Sequence, residues 1–155
     1  MPTSYGASPP VERATEAHRA AWMRLRDILW PQPHVEHSRE ISEILDTPER
    51  YVAFLCRAPD GAVVGFAEAA MRSDYVNGCE TSPVAFLEGI FVEPSQRRNG
   101  MARALCIAVE QWARDRGCRE FASDADLSNL VSHRMHDALG FIETERVVYF
   151  RKLLA

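Results

Sequence analysis

Apolar residues recur at helical spacing between residues 11 and 29, where Ala14, Ala17, Ala21, Leu25 and Ile28 share one face. Pro31 and Pro33 stop that helix. A second helix is predicted over about 38–46, starting at Ser38 and burying Ile41, Ile44 and Leu45. The period then changes. Residues 51–58 and 62–71 are rich in strand formers and flank the turn Pro59-Asp60-Gly61, which predicts a hairpin. Residues 72–83 form a polar loop around Asn77-Gly78. Residues 84–92 read as a third strand, closed by Pro94. A helix over about 101–116 places Leu105, Ala108, Val109 and Trp112 at spacings of three and four, with Gly117 as its cap. Residues 120–124 are strand-like, 129–139 form a helix capped by Gly140, and 141–153 hold one or two closing strands. This order predicts a mixed α/β domain around one central sheet.

Composition narrows the class. A chain of 155 residues, 46% hydrophobic and 26% charged, suits one soluble domain. Residues 1–10 read as a polar, Pro-rich leader without the apolar stretch of a secretory signal, and 11–155 as the domain. No apolar run reaches the roughly 20 residues that span a bilayer, so no membrane partner is expected. A net charge of −4 argues against nucleic acid and is compatible with a cationic substrate. The four cysteines form no C-x-x-C pair, which points to reduced thiols in the cytoplasm.

The most informative stretch runs from Leu87 to Ala102. It reads as strand, turn and helix start, with Arg97, Arg98, Asn99 and Gly100 in the turn. The first amides of a helix have no partner within it, and Gly100 lets a ligand approach them. With the helix dipole and two arginines, such a place binds phosphate or pyrophosphate. Arg97-x-x-Gly100-x-Ala102 resembles the Arg/Gln-x-x-Gly-x-Gly/Ala signature of the GNAT superfamily of N-acetyltransferases. Leu139-Gly140-Phe141 is similar to the Leu-Gly-Phe that closes the last helix in that family. Segments 74–79, 86–92, 117–124 and 143–147 resemble one subgroup, the aminoglycoside 6′-N-acetyltransferases.

The resemblance implies a single-domain GNAT fold and acetyl-CoA as donor, with no metal. Backbone groups of Ile90, Phe91 and Val92 would meet the pantetheine arm and acetyl carbonyl. Arg98, Asn99, Gly100, Met101, Ala102 and Arg103 would hold the pyrophosphate, and Asn129 the pantetheine or sulfur end. It also implies an aminoglycoside lying over Trp30, Tyr75, Glu88, Asp124 and Glu145, and a homodimer.

A sugar amine is mostly protonated at neutral pH and must lose a proton before it attacks a thioester. Glu88 and Asp124 form the leading pair for that task, directly or through water. For either one alone, a role in binding only is equally consistent with the sequence. The Val92 N–H is the candidate donor to the developing oxyanion. Many GNAT enzymes carry a tyrosine acid just before Leu-Gly-Phe; here His136 occupies that place, and Tyr149 is an alternative. His136 is equally readable as a packing histidine. Trp22 and Trp112 fall on apolar faces and read as core. His133 and His136 lack a third metal ligand. Two other functions remain open: a GNAT enzyme for another small amine, polyamine or protein N-terminus, and a non-catalytic CoA-binding module.

Overall fold

A computed structural model describes residues 9–155; most of the leader expected over 1–10 lies outside them. The chain opens with a strand, β1 (Val11–Arg13), where the sequence pattern predicts helix. Val11 stands opposite Cys56 of β2 (Tyr51–Arg57), and the Ala14 N–H donates to the Ala53 carbonyl at 2.9 Å. Helix begins only past Thr15, whose N–H donates to His18 Nδ1 at 2.9 Å. One 3-10 turn leads into α1 (Arg19–Leu29). The buried face of α1 is Trp22, Leu25 and Arg26, whereas Ile28 is 52% exposed. The buried face is rotated from the predicted one, because residues 11–13 are strand and not a first helical turn.

α2 (His34–Asp46) starts earlier than Ser38. α1 ends at Leu29, ahead of Pro31, and Pro33 is the N-cap of α2: its ring is tolerated outside the first turn, and its carbonyl accepts from the Glu36 N–H at 3.0 Å. β3 (Val63–Arg72) and β4 (Val84–Val92) follow, then α3 (Met101–Asp115), β5 (Phe121–Ala122) and α4 (Leu130–Ala138). The sheet order is β1-β2-β3-β4-β5, antiparallel up to β4 and parallel between β4 and β5.

Strand alternation divides the core. Val52 and Cys56 of β2 face α3 with its Leu105, Val109 and Trp112. Ala53 and Leu55 face α1 and α2 with Trp22, Leu25 and Ile41. β4 lies between β3 and the short edge strand β5, and it is irregular in two ways. Glu68 pairs with Gly89 but Ala69 pairs with Leu87, so Glu88 is an extra residue, a β-bulge. β5 pairs with β4 only at Ala85 and Phe86.

The closing strands predicted over 141–153 are not formed. Residues 142–155 form an arm without helix or strand and are exposed, with Tyr149 84%, Phe150 92% and Leu153 80% accessible. Their apolar pattern is that of a strand, but among the described residues no strand pairs with them. α4 likewise has no buried residue.

Candidate active site

The bulge and the short β5 together open one edge of β4. The Glu93 N–H donates to Val64 of β3 at 2.8 Å. Backbone groups alternate in direction along a strand, so the amides of Val92 and Ile90 face the other edge. Beyond Phe86 no strand pairs there among the described residues. Ile90 and Val92 are two of the three residues that the resemblance assigned to the acetyl and pantetheine end; the amide of the third, Phe91, faces β3.

The same edge runs into the start of α3. Gly100 is its N-cap, with φ +76°, and Arg98 is also left-handed at φ +64°. The first helical bond is from the Ala104 N–H to the Gly100 carbonyl at 3.0 Å, so the amides of Met101, Ala102 and Arg103 precede it. A Cβ on Gly100 would meet nothing within 4 Å, so the approach to these amides is open. Arg98 and Asn99 are exposed. Arg97 turns back, its Nε donating to the Val92 carbonyl at 2.9 Å. Arg103 donates to the Ala138 carbonyl at 2.7 Å and ties α3 to the end of α4. The Asn129 side chain accepts from the Ser132 N–H at 3.1 Å as the cap of α4.

On the opposite face, between α1, α2 and the bulge, lies a cavity of about 420 Å³ lined by Arg26, Trp30, Gln32, Glu40, Glu68 and Glu88. Its floor is ionic. Arg26, 3% exposed, pairs with Glu68 and Glu40. Its Nε donates to His37 Nδ1 at 3.2 Å, and the Trp22 indole donates to Glu68 at 2.9 Å. Burial pushes the Glu68 carboxyl up, and the charge and hydrogen bonds of Arg26 oppose that shift. Glu88 stands at the rim, accepting from Arg72 at 2.9 and 3.1 Å.

Trp30 and Glu88, two of the residues singled out in the sequence, thus meet in one cavity. Tyr75, Asp124 and Glu145 do not line it. Tyr75 is 75% exposed in the 73–83 loop. Asp124 is exposed just past β5, and Glu145 lies on the exposed C-terminal arm. Both ring nitrogens of His136 are engaged: Nε2 with Ser123 Oγ and Nδ1 with the Ser132 carbonyl, each at 2.7 Å. That fits the packing reading better than the acid. Tyr149, the alternative acid, sits on the arm and is exposed. Among the described residues no cluster of three or more His, Cys, Asp or Glu side chains is arranged to hold a metal ion.

Sequence reasoning missed Arg26, Glu40, Glu68 and Arg72. Two of them carried a legible signal. Glu68 is a lone acid inside the apolar run of β3, and Arg26 lies four residues after Trp22 on the buried face of α1. A charge at such a position requires a partner.

Comparison with known proteins agrees with this geometry. The model of the acetyltransferase (GNAT) family matches residues 22–141. An aminoglycoside N(6′)-acetyltransferase type 1 of Serratia marcescens is 56% identical over 135 residues, 86% of this chain and 92% of that protein. One from Stenotrophomonas maltophilia is 50% identical over 94% of each chain. Among solved structures, AAC(6′)-Iy in complex with the bisubstrate analogue CoA-S-monomethyl-acetylneamine aligns with TM-score 0.89 and 45% identity, covering 96% of this chain and all of that one. AAC(6′)-Ih from Acinetobacter baumannii aligns with TM-score 0.90 at 45% identity, over 94% and 99% of the two chains. The chain belongs to the GNAT family of acetyltransferases and, within it, to the group of aminoglycoside N(6′)-acetyltransferases.

Proposed function

We propose that the protein transfers the acetyl group of acetyl-CoA to the 6′-amine of aminoglycoside antibiotics and so confers resistance to them. The observation that carries this reading is the unpaired edge of β4. It joins the open first turn of α3 at one end to the bulge carrying Glu88, beside the acid-lined cavity, at the other.

In this reading the amides of Met101, Ala102 and Arg103 hold the pyrophosphate, with Arg98, Asn99 and Gly100 shaping the turn. Ile90, Phe91 and Val92 align the pantetheine arm, and Asn129 borders its sulfur end. Trp30, Tyr75, Glu88, Asp124 and Glu145 receive the polycationic acceptor. Glu88 and Asp124 accept or relay the proton that the ammonium group must lose. The amine nitrogen then bonds to the thioester carbon, the C–S bond breaks with its electron pair left on sulfur, and the second proton that nitrogen sheds as the amide forms passes to that thiolate or to water. The Val92 N–H faces the developing oxyanion, at low reorganisation cost because strand pairing already fixes it. A thiolate is a good leaving group near neutral pH, so the reaction asks little of an acid. His136, bonded to Ser123, holds β5 against α4 and keeps Asp124 in place.

The acting species is a homodimer in the cytoplasm. The dimer is supported by the arm: a chain in water does not leave Val148, Tyr149, Phe150, Leu153 and Leu154 uncovered within seven residues without a surface to cover them. A second copy offers that surface twice over by symmetry, beside the outer edge of β5 and the bare α4. The cytoplasm is supported by four thiols that form no disulfide, Cys56, Cys79, Cys106 and Cys118.

Steady-state assay with acetyl-CoA tests the function. Kanamycin and tobramycin are expected to have a far higher kcat/KM than polyamines or peptide N-termini; a reversed ranking, or no CoA release, would reject it. Asp124→Asn and Glu88→Gln are each expected to lower kcat/KM by about 10²–10⁴-fold with acetyl-CoA affinity retained; unchanged kcat/KM would remove that residue from the chemistry. Light scattering is expected to give the mass of two chains at micromolar concentration, reduced to one by Tyr149→Asp with Phe150→Asp. A wild-type mass of one chain would contradict the dimer.

A further inference from the structure

Gly89 lies inside a strand, where glycine costs stability and usually marks a close approach. Its backbone does not demand glycine: the left-handed glycines are Gly61, Gly78, Gly100, Gly117 and Gly140. What demands it is a ring. A Cβ at Gly89 would lie 2.2 Å from Cζ2 and 2.3 Å from Cη2 of Trp30, while its next neighbour, Leu29 Cδ2, would be 3.4 Å away. The indole therefore rests directly on the backbone of β4, one residue past the bulge that carries Glu88.

The ring has no room to retreat. Phe66 meets it edge-on, with centroids 5.9 Å apart at 69°. The Arg26 guanidinium lies 5.0 Å from its centroid. Arg26 is itself fixed by Glu68, Glu40 and His37. The side of Trp30 left over is the one that lines the cavity with Glu40, Glu68 and Glu88. Anything that lifts the indole from the strand drives it into that cavity.

We propose that Gly89 is a specificity-determining residue for the acceptor: by lacking a side chain it seats Trp30 on β4 and so sets the width of the cavity beside Glu88. This rests on the reading that the cavity receives the acceptor. Gly89 does not touch the reacting atoms; it acts through Trp30. A methyl group there displaces the ring by more than an ångström, since ordinary contact begins near 3.4 Å. The cost falls on the acceptor, because the open edge at Ile90 and Val92 and the turn at Gly100 are untouched.

The test is a double-mutant cycle on the purified full-length enzyme. Gly89→Ala is expected to raise the acceptor KM for kanamycin by roughly tenfold or more, as pocket misfits of one methyl do. The KM for acetyl-CoA is expected to stay within about twofold. In a Trp30→Leu background, which removes the ring, Gly89→Ala is expected to change the acceptor KM by less than about twofold. An unchanged acceptor KM in Gly89→Ala would overturn the proposal. So would an equal penalty in both backgrounds, or a loss confined to acetyl-CoA. If Gly89→Ala alone does not fold by circular dichroism, the double variant decides: it must fold and turn over like Trp30→Leu, and failure to do so overturns the proposal. A wild type that acetylates no aminoglycoside defeats the functional reading instead, and the same cycle is then read with whichever amine it does acetylate.

Discussion

Strand β4 is held by β3 along its whole length but by β5 at only two residues. Backbone amides that lose one neighbour must find another partner or stay in water. This constraint turns an ordinary sheet into a site. The amides of Val92 and Ile90 are aimed outward by pairing on the far side, so they are ordered before any ligand arrives. The turn that follows adds the first amides of α3 to the same line, behind two residues with positive φ, Arg98 and Gly100. A long, flexible, phosphate-tailed thioester carrier matches such a row of donors.

The acceptor side depends on a different kind of order. Arg26 and Glu68 are almost fully buried, and breaking such a pair by losing one partner commonly costs about 3–5 kcal/mol. A purely apolar interior at that place would have been as stable or more so. The ionic floor instead gives α1, α2 and β3 one mutual orientation, fixed by Arg26, Glu40, Glu68, His37 and Trp22 together. Trp30, at the end of α1, inherits that orientation.

The layers of the fold were legible wherever a pattern was local. β4 was read at its observed bounds because its apolar run and Pro94 are sequence features. α3 was read to within a residue from its three-and-four spacing and Gly117. Misreadings arose where a distant partner decided the outcome. Residues 11–13 are a strand because Phe54, Leu55 and Cys56 stand opposite them, which no local pattern reveals. The closing strands did not form for the converse reason: their pattern is strand-like, yet among the described residues no strand pairs with them. At the site, the motif around Gly100 was legible because backbone conformation dictates it. The buried floor was not, because it is assembled from α1, α2 and β3 across more than forty residues of sequence.

The most direct test of the account is amide hydrogen exchange followed residue by residue by NMR, with and without acetyl-CoA. The account predicts that the carrier slows exchange at Ile90, Val92, Met101, Ala102 and Arg103, while the amides of Phe91 and Glu93, turned toward β3, are already slow. Slowing confined to other parts of the chain, with Val92 and Met101 unchanged, would contradict it.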